Sequence, residues 1–111
     1  MVQISDEVVA EMVEAIVGQV DPETIYLFGS RARGEGGADS DLDLLIIERE
    51  PFSPERSRFD EIDRIYQVLR SFRVPTDVLV YSRDEVRKWG DTTNHVVARA
   101  MREGRVLYER S

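Results

Sequence analysis

The chain has 111 residues, of which 41% are hydrophobic and 33% charged, a composition typical of globular proteins that argues against intrinsic disorder. Its formal net charge is −7 and it has no block rich in Lys and Arg, so autonomous binding to a DNA or RNA backbone is not expected. Because cysteine is absent, disulfide frameworks and thiolate metal sites are excluded, and the composition is compatible with a reducing cytoplasm, where we expect the protein to reside.

The chain length is typical of one domain, and neither a linker nor an internal repeat is visible. We therefore expect a single domain over residues 1–111. The first twenty residues lack a basic segment and carry acids among their apolar positions, which is not the pattern of a signal peptide or a membrane span. No membrane association is expected.

The N-terminal part predicts a helix followed by a strand. Ser5 precedes two acids and resembles a helix N-cap, and apolar residues recur at helical spacing up to about Gly18. After a break at residues 21–22, the β-branched and aromatic run Thr24–Phe28 predicts a short buried strand that stops at Gly29.

The middle of the chain predicts two further strands with a helix between them. Residues 41–47 are apolar on both faces apart from two acids, which is typical of a central strand covered on each side. Residues 54–72 open with Pro54 at a plausible first turn and repeat apolar residues at helical intervals. Residues 76–81 predict the next strand.

The last part predicts helical segments and a closing strand. Ser82 and Glu85 have the spacing of a capping box that starts a helix through Trp89. A helical pattern resumes over residues 95–103, and residues 105–109 predict a final short strand. This order predicts an α/β (α+β) fold in which helices pack against a small mixed β-sheet.

Three acids occupy positions where packing offers no reason for them. Asp41 and Asp43 are two residues apart on the second strand, so their side chains project to the same side. Asp77 opens the third strand, and if the two strands are neighbours it can complete a three-carboxylate cluster. Crowded carboxylates repel one another unless divalent cations share their oxygens, and Mg²⁺ prefers such hard ligands. The pattern predicts a site able to hold two metal ions, as in phosphoryl transfer.

A glycine-rich segment lies just upstream of these acids. Gly29 can adopt backbone angles closed to other residues, and Ser30 can cap a helical turn that follows. Exposed N–H groups at such a turn form a cradle for phosphate oxygens, with Arg31 and Arg33 in or beside it. We predict that these four residues bind phosphate or nucleotide.

Structural explanations compete with each assignment. The Gly29-Ser30 pair also suits an ordinary strand-to-helix turn, Asp41 a turn at a solvated strand end, and Asp77 a loop at the strand entry. His95, the only histidine, lies in a helical segment far from these motifs in sequence and is interpreted as structural.

The segment "GSRARG", followed by "SDLDLLI" and a later acid that opens a strand, resembles the nucleotidyltransferase superfamily that includes DNA polymerase beta. More narrowly, the chain is similar to the minimal nucleotidyltransferases encoded beside HEPN-domain proteins in prokaryotic toxin–antitoxin pairs. The terminal "EGRVLYE" is similar to the closing strand of that group, so the resemblance covers essentially the whole chain.

The resemblance implies roles for individual residues. Gly29 and Ser30 would position the phosphates of a nucleoside triphosphate, and Asp41 and Asp43 would bind both Mg²⁺ ions. Asp77 would hold the catalytic metal near the attacking hydroxyl. The expected reaction is in-line attack on the α-phosphorus, with pyrophosphate as the leaving group.

The resemblance further implies that AMP is transferred from ATP to a tyrosine of a HEPN-type RNase toxin, which makes this chain the antitoxin. An alternative is a non-catalytic antitoxin that neutralises its partner by forming a complex. A metal-dependent nuclease is a third hypothesis, disfavoured by the acidic composition. An exposed sheet edge in so small a domain would also favour a homo- or hetero-oligomer.

Overall fold

The computed structural model describes residues 5–29, 32, 41–89 and 95–110. In chain order the elements are α1 (Asp6–Val20), β1 (Thr24–Phe28), β2 (Leu42–Glu48), α2 (Arg58–Leu69), a 3₁₀ turn (Arg70–Phe72), β3 (Thr76–Ser82), α3 (Arg83–Trp89), α4 (Val96–Glu103) and β4 (Arg105–Glu109). The predicted mixed α/β class is confirmed.

The four strands form one sheet in the order β3-β2-β1-β4. The central strand β1 runs antiparallel to both β2 and β4, whereas β2 and β3 run parallel. The carboxyl end of β1 therefore meets the amino ends of β2, β3 and β4 at a single edge of the sheet. The glycine-rich segment follows β1 at this edge, and the predicted acids open β2 and β3 there.

Helices cover both faces of the sheet, which explains why β2 is apolar on both sides. On one face, α1 and α2 bury a large core around Met12, Ile16, Ile65 and residues of alternate strand positions such as Leu44. On the other face, Leu45 and Ile47 pack with residues of α4, among them Val97 and Ala100. Residues Leu42 to Ile47 are all buried except Asp43, which is partly exposed.

Helix α2 begins later than its sequence pattern predicts. Pro54 lies in a tight turn in which the main chains of Ser53 and Arg56 exchange N–H···O bonds of 3.1 Å. The helix starts after Ser57, whose hydroxyl accepts a hydrogen bond from the Phe59 N–H at 3.2 Å. The prediction of a helix from Pro54 is therefore wrong, because a local turn and a serine cap displace the start.

The predicted capping box of α3 is present. The Ser82 N–H donates to Glu85 Oε1 at 2.9 Å, and the Glu85 N–H donates to Ser82 Oγ at 3.2 Å. His95 is the N-cap of α4, where its Nδ1 accepts a hydrogen bond from the Val97 N–H at 3.2 Å. Its ring stacks on Trp89 with centroids 4.8 Å apart, in agreement with a structural role.

None of the helices in the described ranges combines the length and the apolarity that crossing a bilayer requires.

Candidate active site

The parallel pairing of β2 with β3 places Asp43 directly opposite Asp77 in the register of the two strands. The expectation that the two acidic strands are neighbours is thereby confirmed. Asp43 is two residues before Leu45, and Asp77 is two residues before Leu79, so all four side chains project from the same face of the sheet. Farther along the strands, α3 and α4 cover this face. Asp41 precedes β2 at the same edge. We call Asp41, Asp43 and Asp77 the acidic edge.

Gly29 brings the main chain after β1 against the acidic edge. A Cβ atom added at Gly29 would lie 2.3 Å from Oδ2 of Asp43, much closer than any real contact. Gly29 also has φ +78°, in the left-handed region that favours glycine. The main chain turns at once, because the Ala32 N–H donates to the Gly29 carbonyl at 3.2 Å. The sequence thus needs glycine here for conformation and for space.

The pKa of the Asp43 carboxyl is raised above its usual range. Burial contributes most, followed by the negative charges of Asp77 and Asp41, and then by a hydrogen bond between the Asp43 and Asp77 side chains. A cation bound beside these carboxylates would relieve their repulsion, which is the electrostatic character expected of a metal site.

Asp41 is held less closely than the other two acids. Leu42 is the first residue of β2, and its N–H donates to the Pro75 carbonyl at 2.9 Å. Asp41 precedes the strand. Asp41 is exposed and acts on Asp43 through its charge. Across the described ranges, no three acidic, histidine or cysteine side chains are already gathered as a metal site. The structure therefore sets Asp43 and Asp77 directly opposite each other in the strand register, with Asp41 just before β2.

A cavity of about 180 Å³ adjoins Gly29. One wall comes from the end of β1, and the other is a single face of α4 formed by Val96, Arg99, Ala100 and Glu103. Arg99 is exposed, and no ion pair to it occurs within the described part of the chain. Sequence reasoning missed this wall, although the spacing i, i+3, i+4, i+7 on α4 could have indicated a common face.

Three of the seven predicted site residues lie outside the described residues. They are Ser30, Arg31 and Arg33. Gly29, Asp41, Asp43 and Asp77 are described, and all four lie at the same edge of the sheet.

Comparison with known families identifies the family of this chain. The family model of the nucleotidyltransferase domain matches residues 9–107, which contain β1, β2, β3, the first part of β4 and the acidic edge. The chain belongs to the nucleotidyltransferase domain family. This nucleotidyltransferase is therefore a transferase, and its four-stranded mixed sheet carries the fold of that family.

Solved structures share the fold at low sequence identity. A protein of Sulfolobus solfataricus assigned to the nucleotidyltransferases aligns with a TM-score of 0.65 and 23% identity, covering 94% of this chain and 79% of that one. A toxin–antitoxin structure with AMP-PNP aligns at 0.54 and 17%, covering 92% and 74%. A mutant of the toxin–antitoxin pair MntA–HpeT aligns at 0.52 and 13%, covering 97% and 76%. A search of curated proteins found no match.

The donor set at the acidic edge fits Mg²⁺. It consists of carboxylate oxygens, which are the hard ligands that this ion prefers, and it lies beside the main chain at Gly29. Asp41, Asp43 and Asp77 are the residues that would hold the ion.

Proposed function

We propose that this nucleotidyltransferase transfers AMP from ATP to a hydroxyl group of a partner protein, a tyrosine of a HEPN-domain RNase toxin, and thereby acts as an antitoxin. The observation that carries the proposal is the register that sets Asp43 opposite Asp77, with Gly29 in contact with Asp43. Two structural neighbours that are toxin–antitoxin complexes, one of them with AMP-PNP, support the biological setting.

In the proposed site, the bend at Gly29 and Ser30 binds the triphosphate through main-chain N–H groups, and Arg31 and Arg33 contribute positive charge. Asp41 and Asp43 would hold both Mg²⁺ ions, and Asp77 would hold the catalytic one. The bound Mg²⁺ supplies charge stabilisation to the phosphates in the transition state. Arg99 lines the adjoining cavity and would add a further positive charge near the nucleotide.

The reaction is a single in-line displacement. The acceptor oxygen forms a bond to the α-phosphorus while the bond from that phosphorus to the bridging oxygen of the β-phosphate breaks. Pyrophosphate carries away the electron pair, and the hydroxyl proton is released at the acidic edge. No covalent enzyme intermediate is needed. Because the enzyme core is small, the partner supplies both the acceptor and the specificity.

Labelling of the partner tests the proposal. The protein, ATP labelled in its α-phosphate, Mg²⁺ and the neighbour-encoded partner are incubated together, and intact mass shows whether the partner gains adenylyl groups. We expect labelling that falls by about 100-fold or more in Asp41→Asn/Asp43→Asn, since charge stabilisation is lost. Asp63→Asn, on the exposed side of α2, is the matched control and should label normally. Labelling that survives the double change contradicts the proposal.

Thermal unfolding of the same variants distinguishes a loss of activity from a loss of fold. The folded-state pKa of Asp43 is raised, so ionisation of this group destabilises the fold as pH rises through that pKa. Asp43→Asn should therefore raise Tm at pH 7, and the gain should vanish in acid.

If the triple Asp→Asn variant still binds and fully silences the partner, the non-catalytic antitoxin is the better description.

A further inference from the structure

A groove of about 470 Å³ lies between the first half of α1 and strand β4, and we call it the α1–β4 groove. Its apolar lining comes from both elements and consists of Val9, Ala10, Val13, Val106 and Leu107. Val9 and Leu107 also pack against the large core, so the floor of the groove is continuous with that core. Val106 is 45% exposed. An apolar groove that opens to solvent in this way is typical of an interaction site.

The α1–β4 groove suits side chains better than an added β-strand. The register of β4 against β1 shifts between Ile25 and Tyr26, and Leu107 is left as an extra residue without a partner on β1. A bulge of this kind bends an edge strand and interrupts its row of main-chain groups. An occupant would therefore bind through its side chains, as an amphipathic helix does in an apolar groove.

The charges around the groove are mostly negative. Helix α1 carries four acids and no Lys or Arg. Two of these acids, Asp6 and Glu14, line the groove, and Arg105 is the one cation among its described lining residues. Asp6 and Glu14 are about 12 Å apart along the helix, because each of eight residues rises about 1.5 Å. The groove is thus complementary to apolar side chains that are flanked by cations.

These charges decide among the possible occupants. A second copy of this chain brings a net charge of −7, and nucleic acids and acidic lipid surfaces are also anionic, so the acids of α1 would repel each of them. A protein that cleaves RNA must hold a polyanion, and it does so with Lys and Arg on its surface. We propose that the α1–β4 groove docks an apolar segment of the toxin partner that is flanked by Lys or Arg, an inference that rests on the proposed function.

The groove lies at the same end of the sheet as the acidic edge. Its β4 residues are the first three of that strand, and Arg105 pairs with Leu27, next to the carboxyl end of β1. Neighbouring strands are about 4.8 Å apart, so β4 is about 10 Å from β2, which carries Asp43. A partner docked in the groove would need to extend only across the end of β1 to present its tyrosine to the acidic edge.

Binding of the neighbour-encoded partner, measured by titration calorimetry without nucleotide, tests the docking surface. Glu14→Lys should weaken binding by about tenfold or more in Kd, because an attraction becomes a repulsion. Glu11→Lys is the matched control: it makes the same change of net charge on the same helix, but Glu11 is exposed and does not line the groove. It should bind within about twofold of wild type.

Val106→Gln tests the apolar part of the groove without a change of charge. It should weaken binding by about fivefold, because a half-exposed apolar side chain no longer becomes buried against the partner. Circular dichroism verifies that each variant folds.

Labelling of the partner separates the docking surface from the proposed function. Since docking affects the capture of the partner and not the chemical step, Glu14→Lys should raise KM for the partner about tenfold and leave kcat within about twofold. A partner that binds through the groove but gains no adenylyl group would support the docking surface and refute the proposed function.

Three results would overturn the docking surface. The first is a partner that does not bind the wild-type chain. The second is an equal loss of binding in Glu14→Lys and Glu11→Lys, which would mean that only long-range attraction is at work. The third is normal binding and normal KM in both Glu14→Lys and Val106→Gln while labelling persists, in which case the proposed function stands and the partner docks elsewhere.

Discussion

At the scale of single residues, the position that most constrains the candidate site is Gly29, which carries no reactive group. Its φ of +78° requires glycine, and its missing side chain allows the main chain to contact the Asp43 carboxylate. The acids supply the charge, while this glycine determines how closely the main chain after β1 approaches them.

Replacement of Gly29 by alanine should therefore damage both stability and activity. The left-handed conformation costs about 1–2 kcal/mol with a Cβ atom, and that atom would displace the Asp43 carboxylate. Gly18→Ala in α1 is the matched control, because nothing lies within 4 Å of its added Cβ. It should stabilise the helix by up to about 1 kcal/mol. Urea unfolding and partner labelling measure both effects, and a Gly29→Ala variant as stable and active as wild type would contradict this account.

At the scale of elements, the opposite end of β2 holds a buried charged group. Glu48 ends the strand with 2% exposure, and its Oε1 accepts a bond from Arg56 Nη2 at 2.6 Å. The same nitrogen lies 3.1 Å from Glu61 Oε2, on α2. Glu48 Oε2 has no hydrogen-bond partner in the described ranges. Arg56 thus links β2 to α2, whereas the buried Oε2 of Glu48 has no hydrogen bond to offset its desolvation.

Burial raises the pKa of Glu48 most, and the hydrogen bond and negative charge of Glu61 raise it further. Arg56 lowers it, and the resulting pKa is about 8. A proton on the uncompensated oxygen would let it donate to Glu61. Since the folded-state pKa is raised, the stability that this proton provides is complete below about 4.5 and is lost as pH rises through about 8.

Glu48→Gln should remove this pH dependence, because the amide can donate at every pH. We expect similar Tm values for variant and wild type near pH 5, and a variant more stable by on the order of a few kcal/mol near pH 9. Glu50→Gln is the control: its side chain is 78% exposed and contacts Arg56 at 3.6 Å, so it should change little. A gain for Glu48→Gln that is equal at both pH values would refute the titration of Glu48.

At the scale of the whole molecule, the net charge of −7 opposes compaction while local ion pairs support it. Such ion pairs join Arg56 to Glu48 and Glu61, Arg58 to Glu85, and Arg110 to Asp21. Salt at physiological strength screens long-range repulsion between exposed charges more than contacts that are partly buried.

Added salt should therefore stabilise the fold. Between low ionic strength and about 0.15 M NaCl, we expect Tm to rise by a few degrees, which corresponds to about 1 kcal/mol or less. The measurement is a thermal scan at fixed pH and protein concentration. A Tm that falls with salt would mean that the local ion pairs outweigh the net repulsion.

The sequence by itself determined the features that depend on neighbouring residues. The period of α1, the capping box at Ser82 and the bounds of β1 follow from local spacing. The bend at Gly29 also follows from local sequence, and so does the projection of Asp41 and Asp43 to one side. Both depend on backbone conformation and strand alternation, which are set within a few bonds.

Only the tertiary structure decided which strands are neighbours. The parallel pairing of β2 with β3 put Asp77 opposite Asp43, and the packing of α2 on β2 joined Arg56 to Glu48 and Glu61. The late start of α2 came from the turn at Ser53 and Arg56. Contacts between residues distant in the chain depend on how whole faces pack, and no period in the sequence records that choice.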